Sequence, residues 1–448
     1  MWIMLTVQYG LKSNPIHYYH IKNMKFFKLI KLNTLFLSVF LLITLISSFC
    51  YSKENSYKKI VFLVSTETFG GKGVYAMYNE MKKIGHDVKI VIVPHPHPNI
   101  QGGIDTGFIS KFDTQDVIYP CGKYASYSNV NTKCEISELK NYQPDFIFTQ
   151  NPYENFQGYI SEPFTAANLY KSFRGTKTKI MYIVYGPHIF HQKNIDDDKL
   201  SSCIETVFVD SESTKDIFIS NYKFPKDRVI VSGYQPYYEV RNYNIKEKAN
   251  SETILWLPRW ELSFKNRDLY EGGSTFLNYH YFFYNYALQH PNIHFIIRPH
   301  VTLFTYAVSK NYLSQSDMDN ILSRFNSLKN VTVSAHAFRS LLDDIMVSDI
   351  VISDGTSSLA EVVVADKPII YLSNGWNNEF NSNALSKELK KYMYFAYEPQ
   401  DIINYIEFIK QNHYLPYHEN SSGRNQFKKM LDPVENPAAF IAEYLLKL

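Results

Sequence analysis

The sequence lacks the patterns that indicate a structural metal site or a nucleic-acid partner. Its four cysteines include no Cys-x-x-Cys pair, which is the spacing that structural zinc sites use. Lysine and arginine, 46 together, nearly balance aspartate and glutamate, 43 together, and no basic block with interleaved aromatic residues occurs. An internal repeat is also missing, so a solenoid is not expected. We predict a globular protein with no metal ligands of its own and no nucleic-acid partner.

Cysteine usage leaves the redox state of one pair open. Cys121 and Cys134 could form a disulfide if the domain lies outside the cytosol. Without a metal-type spacing or another cue, reduced and partly buried thiols are the favoured prediction.

The N-terminal region predicts a membrane segment. Residues 32–52 carry no charge and consist mostly of Leu, Phe, Ile and Val, and their number is close to the ~20 residues that cross a bilayer. Residues 1–31 contain five lysines and no acidic residue. This pattern is typical of a signal anchor or a cleaved signal peptide. The positive-inside rule places the N-terminus in the cytoplasm and the globular part outside. That location conflicts with the use of a cytosolic nucleotide, so the side of the membrane stays open.

Apolar runs and amphipathic stretches alternate through the rest of the chain. Residues 58–64 are a predicted strand, 74–84 a helix and 88–93 the next strand, which is a β-α-β unit. Similar units continue to the C-terminus. We therefore predict an α/β protein with two Rossmann-like domains facing a cleft, preceded by a hydrophobic helix. The predicted boundaries are 53–240 for the first domain, 241–252 for a linker, 253–432 for the second domain and 433–448 for a closing helix.

A glycine-rich loop follows the first predicted strand. Gly70, Gly71 and Gly73 allow the backbone to approach a ligand closely. Their spacing is not G-x-G-x-x-G, so a dinucleotide site is not indicated. The loop is predicted to bind the acceptor or a phosphate, and a plain tight turn is the alternative.

Residues 348–371 carry the most informative pattern in the chain. An apolar strand is followed by a polar turn with Asp354, Thr356, Ser357 and Ser358, then by a short helix and a second apolar strand. In an open parallel sheet the ligand lies at the carboxyl end of such a strand, and a helix N-terminus stabilises phosphate. Glu361, in the first helical turn, is predicted to accept hydrogen bonds from ribose hydroxyls. The alternative is a capped turn without a ligand.

Two other strand ends of the second domain place basic residues near this turn. Arg259 follows one strand, and Arg298 and His300 follow another. Arginine matches phosphate with a fork of donors, and histidine transfers protons near neutral pH. Together with the turn they predict a diphosphate clamp. His188 ends a strand of the first domain and is the predicted general base across the cleft; a turn histidine without a ligand is the alternative.

Several of these motifs lie in residues 145–372, which resemble the CDP-glycerol:poly(glycerophosphate) glycerophosphotransferase family of teichoic acid and capsule polymer enzymes. The resemblance implies a GT-B fold, a nucleotide-diphosphate donor, and donor-phosphate contacts from the R-x-H histidine and the hydroxyl-rich turn. The motifs that carry it are Ser353-Asp354-Gly355-Thr356-Ser357-Ser358 with Lys367-Pro368-Ile369, then Arg298-Pro299-His300, Leu257-Pro258-Arg259-Trp260, Asp210-Ser211-Glu212, and Gly233-Tyr234-Gln235-Pro236. Tyr237 stands where the family has arginine, and Tyr185-Gly186-Pro187-His188 matches the family's W-H-G-T segment only loosely.

The predicted function is transfer of glycerol phosphate, or of a related polyol phosphate or sugar, from a CDP- or UDP-linked donor to a hydroxyl of a cell-surface glycan or lipid-linked acceptor at a bacterial membrane. No cofactor is required, although Mg²⁺ could accompany the diphosphate. A nucleotide-sugar glycosyltransferase, a sugar-nucleotide epimerase of the same fold, and an exported two-lobed binding protein are the alternatives. The donor base and the acceptor are left open.

Overall fold

The computed structural model describes residues 57–65, 71–93, 106–122, 134–152, 162–188, 198–244, 251–260, 262, 274–300, 302–334, 340–355, 357–373, 384–416 and 421–448. All of them belong to one compact unit, Tyr57–Leu448. The predicted basic segment 1–31 and apolar segment 32–52 lie outside the described residues. Within the described part of the chain, no helix has the length and apolar character that crossing a bilayer requires.

The first lobe is built on a parallel sheet. Seven described strands form it in the order β3-β2-β1-β4-β5-β6-β7. They are β1 (Lys59–Val64), β2 (Asp87–Ile92), β3 (Val117–Ile118), β4 (Phe146–Thr149), β5 (Lys179–Ile183), β6 (Thr206–Val209) and β7 (Val229–Val231). The helices of this region are α1 (Val74–Ile84), α2 (Thr106–Ile109), α3 (Ser137–Tyr142), α4 (Ala166–Ser172), α5 (Asp198–Cys203), α6 (Glu212–Ser220) and α7 (Gln235–Arg241).

The second lobe repeats this design with a sheet in the order β10-β9-β8-β11-β12-β13. Its strands are β8 (Thr253–Leu257), β9 (His294–Ile297), β10 (Val331–Val333), β11 (Ile350–Ser353), β12 (Ile369–Leu372) and β13 (Tyr394–Ala396). The helices that follow in the chain are α8 (Phe276–Gln289), α9 (Leu303–Ser309), α10 (Gln315–Asn326), α11 (Leu341–Val347), α12 (Leu359–Val364), α13 (Ala384–Leu389), α14 (Pro399–Gln411), α15 (Ser421–Leu431) and α16 (Pro437–Leu445). Short 3₁₀ turns occur at Thr114–Asp116, Glu162–Phe164, Lys226–Arg228 and Lys390–Tyr392.

Both sheets are apolar on both faces, as parallel sheets covered by helices are. In β8, Ile254 and Trp256 point into the core beneath α8, whereas Leu255 and Leu257 point into the core beneath α12. The apolar runs in the sequence therefore correspond to strands that are buried on both faces of the sheet. The prediction of two parallel α/β domains is confirmed.

The strand order places a topological switch point in each sheet. In the first sheet the order reverses between β1 and β4, and in the second it reverses between β8 and β11. Ligands of open α/β sheets bind in the crevice outside the carboxyl ends of the strands at such a point. The ends of β8 and β11 are the positions of Arg259 and Asp354.

The C-terminal helix belongs to the first lobe. Ala438, Ile441 and Ala442 of α16 lie in the same apolar core as Met77 and Met81 of α1. The chain therefore passes between the lobes twice, once near α7 and once before α16.

The structure corrects the prediction for the cysteine pair. Cys121 and Cys134 form a disulfide, so the expectation of reduced thiols is wrong. The chain turns sharply after β3: Gly122 has φ +86°, and the Glu135 N–H donates to the Pro120 carbonyl over 2.9 Å. This turn brings together two cysteines whose proximity sequence spacing could not show.

Candidate active site

Asp354 organises the carboxyl end of the second sheet. Its Oδ1 accepts the main-chain N–H of Arg259 at 2.6 Å. Its Oδ2 accepts the N–H and the hydroxyl of Thr275, at 2.7 and 2.9 Å, and the hydroxyl of Ser274 at 3.2 Å. Burial raises the pKa of Asp354, and the Thr275 and Arg259 donors oppose that rise. The carboxylate thus ties the ends of β8 and β11 to the start of α8, which is a scaffolding position.

The guanidinium of Arg259 is a buried charge at this switch point. Only 9% of the residue is exposed. Among the described residues none forms a hydrogen bond or an ion pair with the guanidinium, and its Nε lacks a partner. A buried cation without a hydrogen-bonded counter-charge costs free energy. This position is therefore suited to an anionic ligand.

Arg298 is held by its own lobe. Its Nη1 donates to Asp344 Oδ2 at 2.7 Å and to Ser334 Oγ at 3.1 Å, and that hydroxyl in turn donates to Asp344 at 2.6 Å. Both charged side chains are almost fully buried. Arg298 nevertheless lines the cavity described below, so the ion pair fixes its position at the cavity wall.

His300 is partly buried and lies just beyond β9. Its N–H donates to the Pro258 carbonyl at 2.9 Å, which joins the end of β9 to the end of β8. Its Nδ1 accepts the N–H of Thr302 at 3.3 Å and lies 3.0 Å from that residue's hydroxyl. Because Nδ1 accepts this bond, Nε2 is the nitrogen that carries the proton in the neutral ring.

The turn after β11 meets the first lobe. A Cβ built on Gly186 would lie 3.1 Å from the Cβ and Oγ of Ser357, so the chain beyond β5 contacts this turn directly. Ser358 is the N-cap residue of α12 and is 7% exposed. Thr356 lies outside the described residues.

Glu361 is paired across the cleft. Its Oε1 lies 3.0 Å from Lys72 Nζ, with side-chain exposures of 6% for Glu361 and 15% for Lys72. Tyr234 Oη lies 3.2 Å from the same Oε1 and 2.6 Å from the Tyr185 carbonyl. Glu361, which was predicted to bind the ribose, therefore faces the first lobe. Its negative charge is already paired there with Lys72.

The glycine loop is fixed on both sides of Lys72. Gln150, which follows β4, donates to the Lys72 carbonyl at 2.8 Å. Gly73 has φ +70°, and a Cβ there would lie 2.5 Å from Cβ of Gln235, so only glycine fits. Gly71 contributes the carbonyl that accepts the Val74 N–H. Gly70 lies outside the described residues.

His188, the predicted base, is enclosed by aromatic side chains. It is 1% exposed, its ring makes an edge contact with Phe218 at 5.0 Å, and its Nδ1 lies 3.4 Å from Tyr222 Oη. The histidine follows Gly186, which contacts Ser357. A base role for it stays a prediction.

A cavity of about 1040 Å³ lies between the glycine loop and the second lobe. Lys72, Tyr75 and Phe108 line it from the first lobe, and Arg298, Asp343 and Glu361 line it from the second. Cationic, anionic and aromatic groups from both lobes therefore converge on one space, which is large enough for a ligand of nucleotide size.

The sequence located the strand ends but missed several partners. The main omissions are Lys72, Tyr234 and Gln150 in the first lobe and Thr275 and Asp344 in the second. Lys72 had a local signal, because it stands between Gly71 and Gly73, and Tyr234 lies in the motif Gly233-Tyr234-Gln235-Pro236. The other three are polar residues whose partners are distant in sequence, and a single chain gives no sign of such pairs.

No group of three or more His, Cys, Asp or Glu side chains among the described residues could hold a metal ion. Mg²⁺ carried in by a diphosphate stays a prediction.

Solved structures share this two-lobed arrangement. A variant of the wall teichoic acid polymerase TagF soaked with CDPG matches with 12% identity over 88% of this chain and 90% of that one, at a TM-score of 0.52. UDP-GlcNAc 2-epimerase from Neisseria meningitidis bound to UDP-GlcNAc matches with 18% identity over 87% and 99% of the two chains, at 0.52. A putative UDP-N-acetylglucosamine 2-epimerase from Listeria monocytogenes matches with 9% identity over 87% and 95%, at 0.54.

These likenesses define the class of fold. Two parallel-sheet α/β lobes with a cavity between them are the GT-B arrangement, and the chain has it. No protein-family model matches the sequence, and no curated protein sequence matches it either.

Proposed function

We propose that this protein is a GT-B transferase. It moves glycerol phosphate, or a related polyol phosphate or sugar, from a CDP- or UDP-linked donor to a hydroxyl of a cell-surface glycan or lipid-linked acceptor. The observation that carries the proposal is Arg259, a cation that is nine-tenths buried at the switch point and has no ion-pair partner among the described residues.

The placement of Arg259 favours a diphosphate. A guanidinium forms two parallel hydrogen bonds with phosphate oxygens, and phosphoryl transfer depends chiefly on neutralising charge. Asp354 interacts with this charge only through space, because its oxygens accept four hydrogen bonds from main-chain N–H groups and hydroxyls and none from the guanidinium. Arg298, His300, Ser357 and Ser358 supply further donors at neighbouring strand ends; the proposal includes them, with Thr356, in donor binding.

The proposed chemistry is displacement by an acceptor hydroxyl. With a glycerol-phosphate donor, the hydroxyl oxygen attacks the β-phosphorus, and the bond from that phosphorus to the bridging oxygen breaks. Nucleoside monophosphate leaves with the electron pair, and a base takes the hydroxyl proton. His188 is the proposed base; it is 1% exposed, so this role requires that an acceptor gain access to its ring. His300 Nε2 is the proposed donor to the leaving phosphate.

Solved structures support the choice of donor class. Structures with matching folds include a TagF variant soaked with CDPG and an epimerase bound to UDP-GlcNAc. The first favours a CDP-linked polyol phosphate. The second favours the alternative, a UDP-sugar enzyme. Released CMP from CDP-glycerol supports the first, whereas released UDP or an epimerised sugar from a UDP-sugar supports the second. Binding without turnover of any donor indicates the exported binding protein.

We also propose that the protein is membrane-associated through residues 32–52, with the globular part outside the cytosol, which requires that the nucleotide donor be delivered to that side. The Cys121–Cys134 disulfide supports that side, because disulfides persist in oxidising compartments.

Arg259 provides the test. We expect Arg259→Met to weaken CDP or UDP binding about 10- to 100-fold, from the worth of hydrogen bonds to charged groups. Without ligand the same variant should melt at an equal or higher temperature, because an uncompensated buried charge is removed. Arg324→Met is the matched control, since Arg324 is an exposed arginine of α10.

Calorimetry and thermal melting of the full-length protein in detergent give both quantities. Wild-type protein that binds neither CDP nor UDP contradicts the proposed function. Unchanged affinity in Arg259→Met removes Arg259 from the site.

A further inference from the structure

A buried ion pair joins the two lobes at the cavity. Lys72 Nζ in the first lobe lies 3.0 Å from Glu361 Oε1 in the second, and the two side chains are 15% and 6% exposed. Both residues line the cavity of about 1040 Å³. Taking two charges out of water is costly even when they pair. A pair held in a ligand-sized space is therefore a candidate for exchange with a ligand.

The backbone around Lys72 is positioned by the fold. Gln150 holds the Lys72 carbonyl, and the close contact between Gly73 and Gln235 fixes the following residue. The Lys72 ammonium also lies 5.9 Å from the ring centroid of Tyr234. The lysine thus enters the cavity from a backbone position that is held at its own carbonyl and at the residue after it, unlike a lysine on an open surface.

Lys72 is the principal counter-charge of Glu361. Tyr234 is the other neighbour of Glu361 Oε1, but its hydroxyl has a single proton and lies closer to the Tyr185 carbonyl, at 2.6 Å against 3.2 Å. The tyrosine therefore gives Glu361 at most a shared hydrogen bond. If Lys72 turns away, Glu361 needs new donors.

We propose that Lys72 is a donor-binding residue that changes partners when a nucleoside diphosphate enters; this inference rests on the proposed function. Ribose hydroxyls donate to Glu361 in place of the ammonium, and the ammonium turns to the phosphate oxygens. Each charge keeps a partner of suitable chemistry. The exchange needs both parts of the ligand, because phosphate alone leaves Glu361 buried without a donor and a nucleoside alone leaves Lys72 without an anion. The ion pair therefore selects a ribonucleoside diphosphate over pyrophosphate and over a free nucleoside.

Three variants of the full-length protein separate this role from a structural one. Lys72→Met removes the charge and retains the length of the side chain, and Lys72→Arg restores the charge. Lys72→Met combined with Glu361→Gln removes both charges, so that no buried charge is left unpaired and the fold is preserved. Lys83→Met on α1 is the matched control, since its side chain is 76% exposed.

Calorimetry with CDP, UDP and the corresponding nucleosides gives the decisive comparison. We expect Lys72→Met to weaken diphosphate binding roughly tenfold or more, as loss of a charge-assisted contact does. Nucleoside binding should stay the same or tighten, because Glu361 has lost its competitor for the ribose hydroxyls. Lys72→Arg should recover most of the diphosphate affinity. In the double variant the ratio of diphosphate affinity to nucleoside affinity should fall about tenfold below that of the wild type, because the other proposed phosphate donors remain.

Equal losses for diphosphate and nucleoside in Lys72→Met make Lys72 a purely structural residue and overturn the inference. Unchanged diphosphate affinity in the correctly melting double variant does so as well. A third result distinguishes failure of the Lys72 inference from failure of the proposed function. Wild-type protein that binds no pyrimidine diphosphate rejects the proposed function itself, and the inference with it.

Discussion

Replacing Asp354 with alanine tests how the site is held together. The carboxylate accepts the N–H groups of Arg259 and Thr275 and the hydroxyls of Thr275 and Ser274. In Asp354→Ala the hydroxyls can turn to other acceptors, but the two main-chain N–H groups cannot. A buried donor left unsatisfied costs about 1–3 kcal/mol, so the two together cost about 2–6 kcal/mol. Relief of the buried charge offsets part of this, and we expect a net loss of about 3 kcal/mol.

The measurement is urea unfolding of the full-length protein, followed by tryptophan fluorescence. Trp256 on β8 is fully buried in the core of the second lobe and reports on that lobe. Asp354→Asn keeps one acceptor oxygen and should lose about half as much. Asp227→Ala is the control, because Asp227 is exposed and surface changes cost within about 0.5 kcal/mol.

A second readout concerns the ligand. Asp354 fixes the main chain of Arg259, so Asp354→Ala should also weaken CDP or UDP binding at a urea concentration where it is still folded. Asp354→Ala that unfolds within 0.5 kcal/mol of wild type refutes the scaffolding argument. Normal stability with lost affinity means that Asp354 meets the ligand directly.

Two further predictions concern pH and location. Burial raises the pKa of Asp210 from 3.8 to about 6. Between these two pH values the folded state binds more protons than the unfolded state, so the free energy of unfolding decreases as pH rises. Above about pH 6 the contribution of Asp210 no longer changes with pH. Asp210→Asn should remove this slope and raise stability at pH 7.5 by on the order of 2–3 kcal/mol; an unchanged slope in urea unfolding shows that another group titrates. We proposed from the disulfide and from the lysines of residues 1–31 that the globular part lies outside the cytosol, so protease added to intact cells should digest it; protection until the cells are lysed contradicts that proposal.

The strands were predictable because each is a short apolar run between polar turns. The predicted unit 58–64, 74–84 and 88–93 lies within one residue of β1 (Lys59–Val64), α1 (Val74–Ile84) and β2 (Asp87–Ile92) at every bound, since burial on both faces favours apolar residues along a strand. β13 was not predicted from its three residues, Tyr394–Ala396. Its pairing with β12 defines it, and pairing is not a local property.

The sequence predicts which residues of the site follow strands, but it does not predict the partners of those residues. Arg259, Arg298 and Asp354 follow strands, so their common edge follows from the sheet. Their partners do not, because Arg298 pairs with a residue 46 positions away and Glu361 with one 289 positions away. The sequence alone therefore does not distinguish Arg298, which has a hydrogen-bonded counter-charge, from Arg259, whose guanidinium forms no ion pair with the described residues.

The two chain crossings determine which contacts between the lobes can change. At the crossings, Arg241 of α7 pairs with Asp432 and donates to the Glu435 carbonyl. A Cβ on Gly233 would lie 2.8 Å from Cβ of Val434. Two tightly packed chain segments oppose separation of the lobes there. The Lys72–Glu361 pair lies beside the first crossing, because Tyr234 contacts Glu361 and Gln235 packs against Gly73. A donor that replaces this pair would therefore change contacts next to the junction of the two lobes, where a small local change affects both lobes at once.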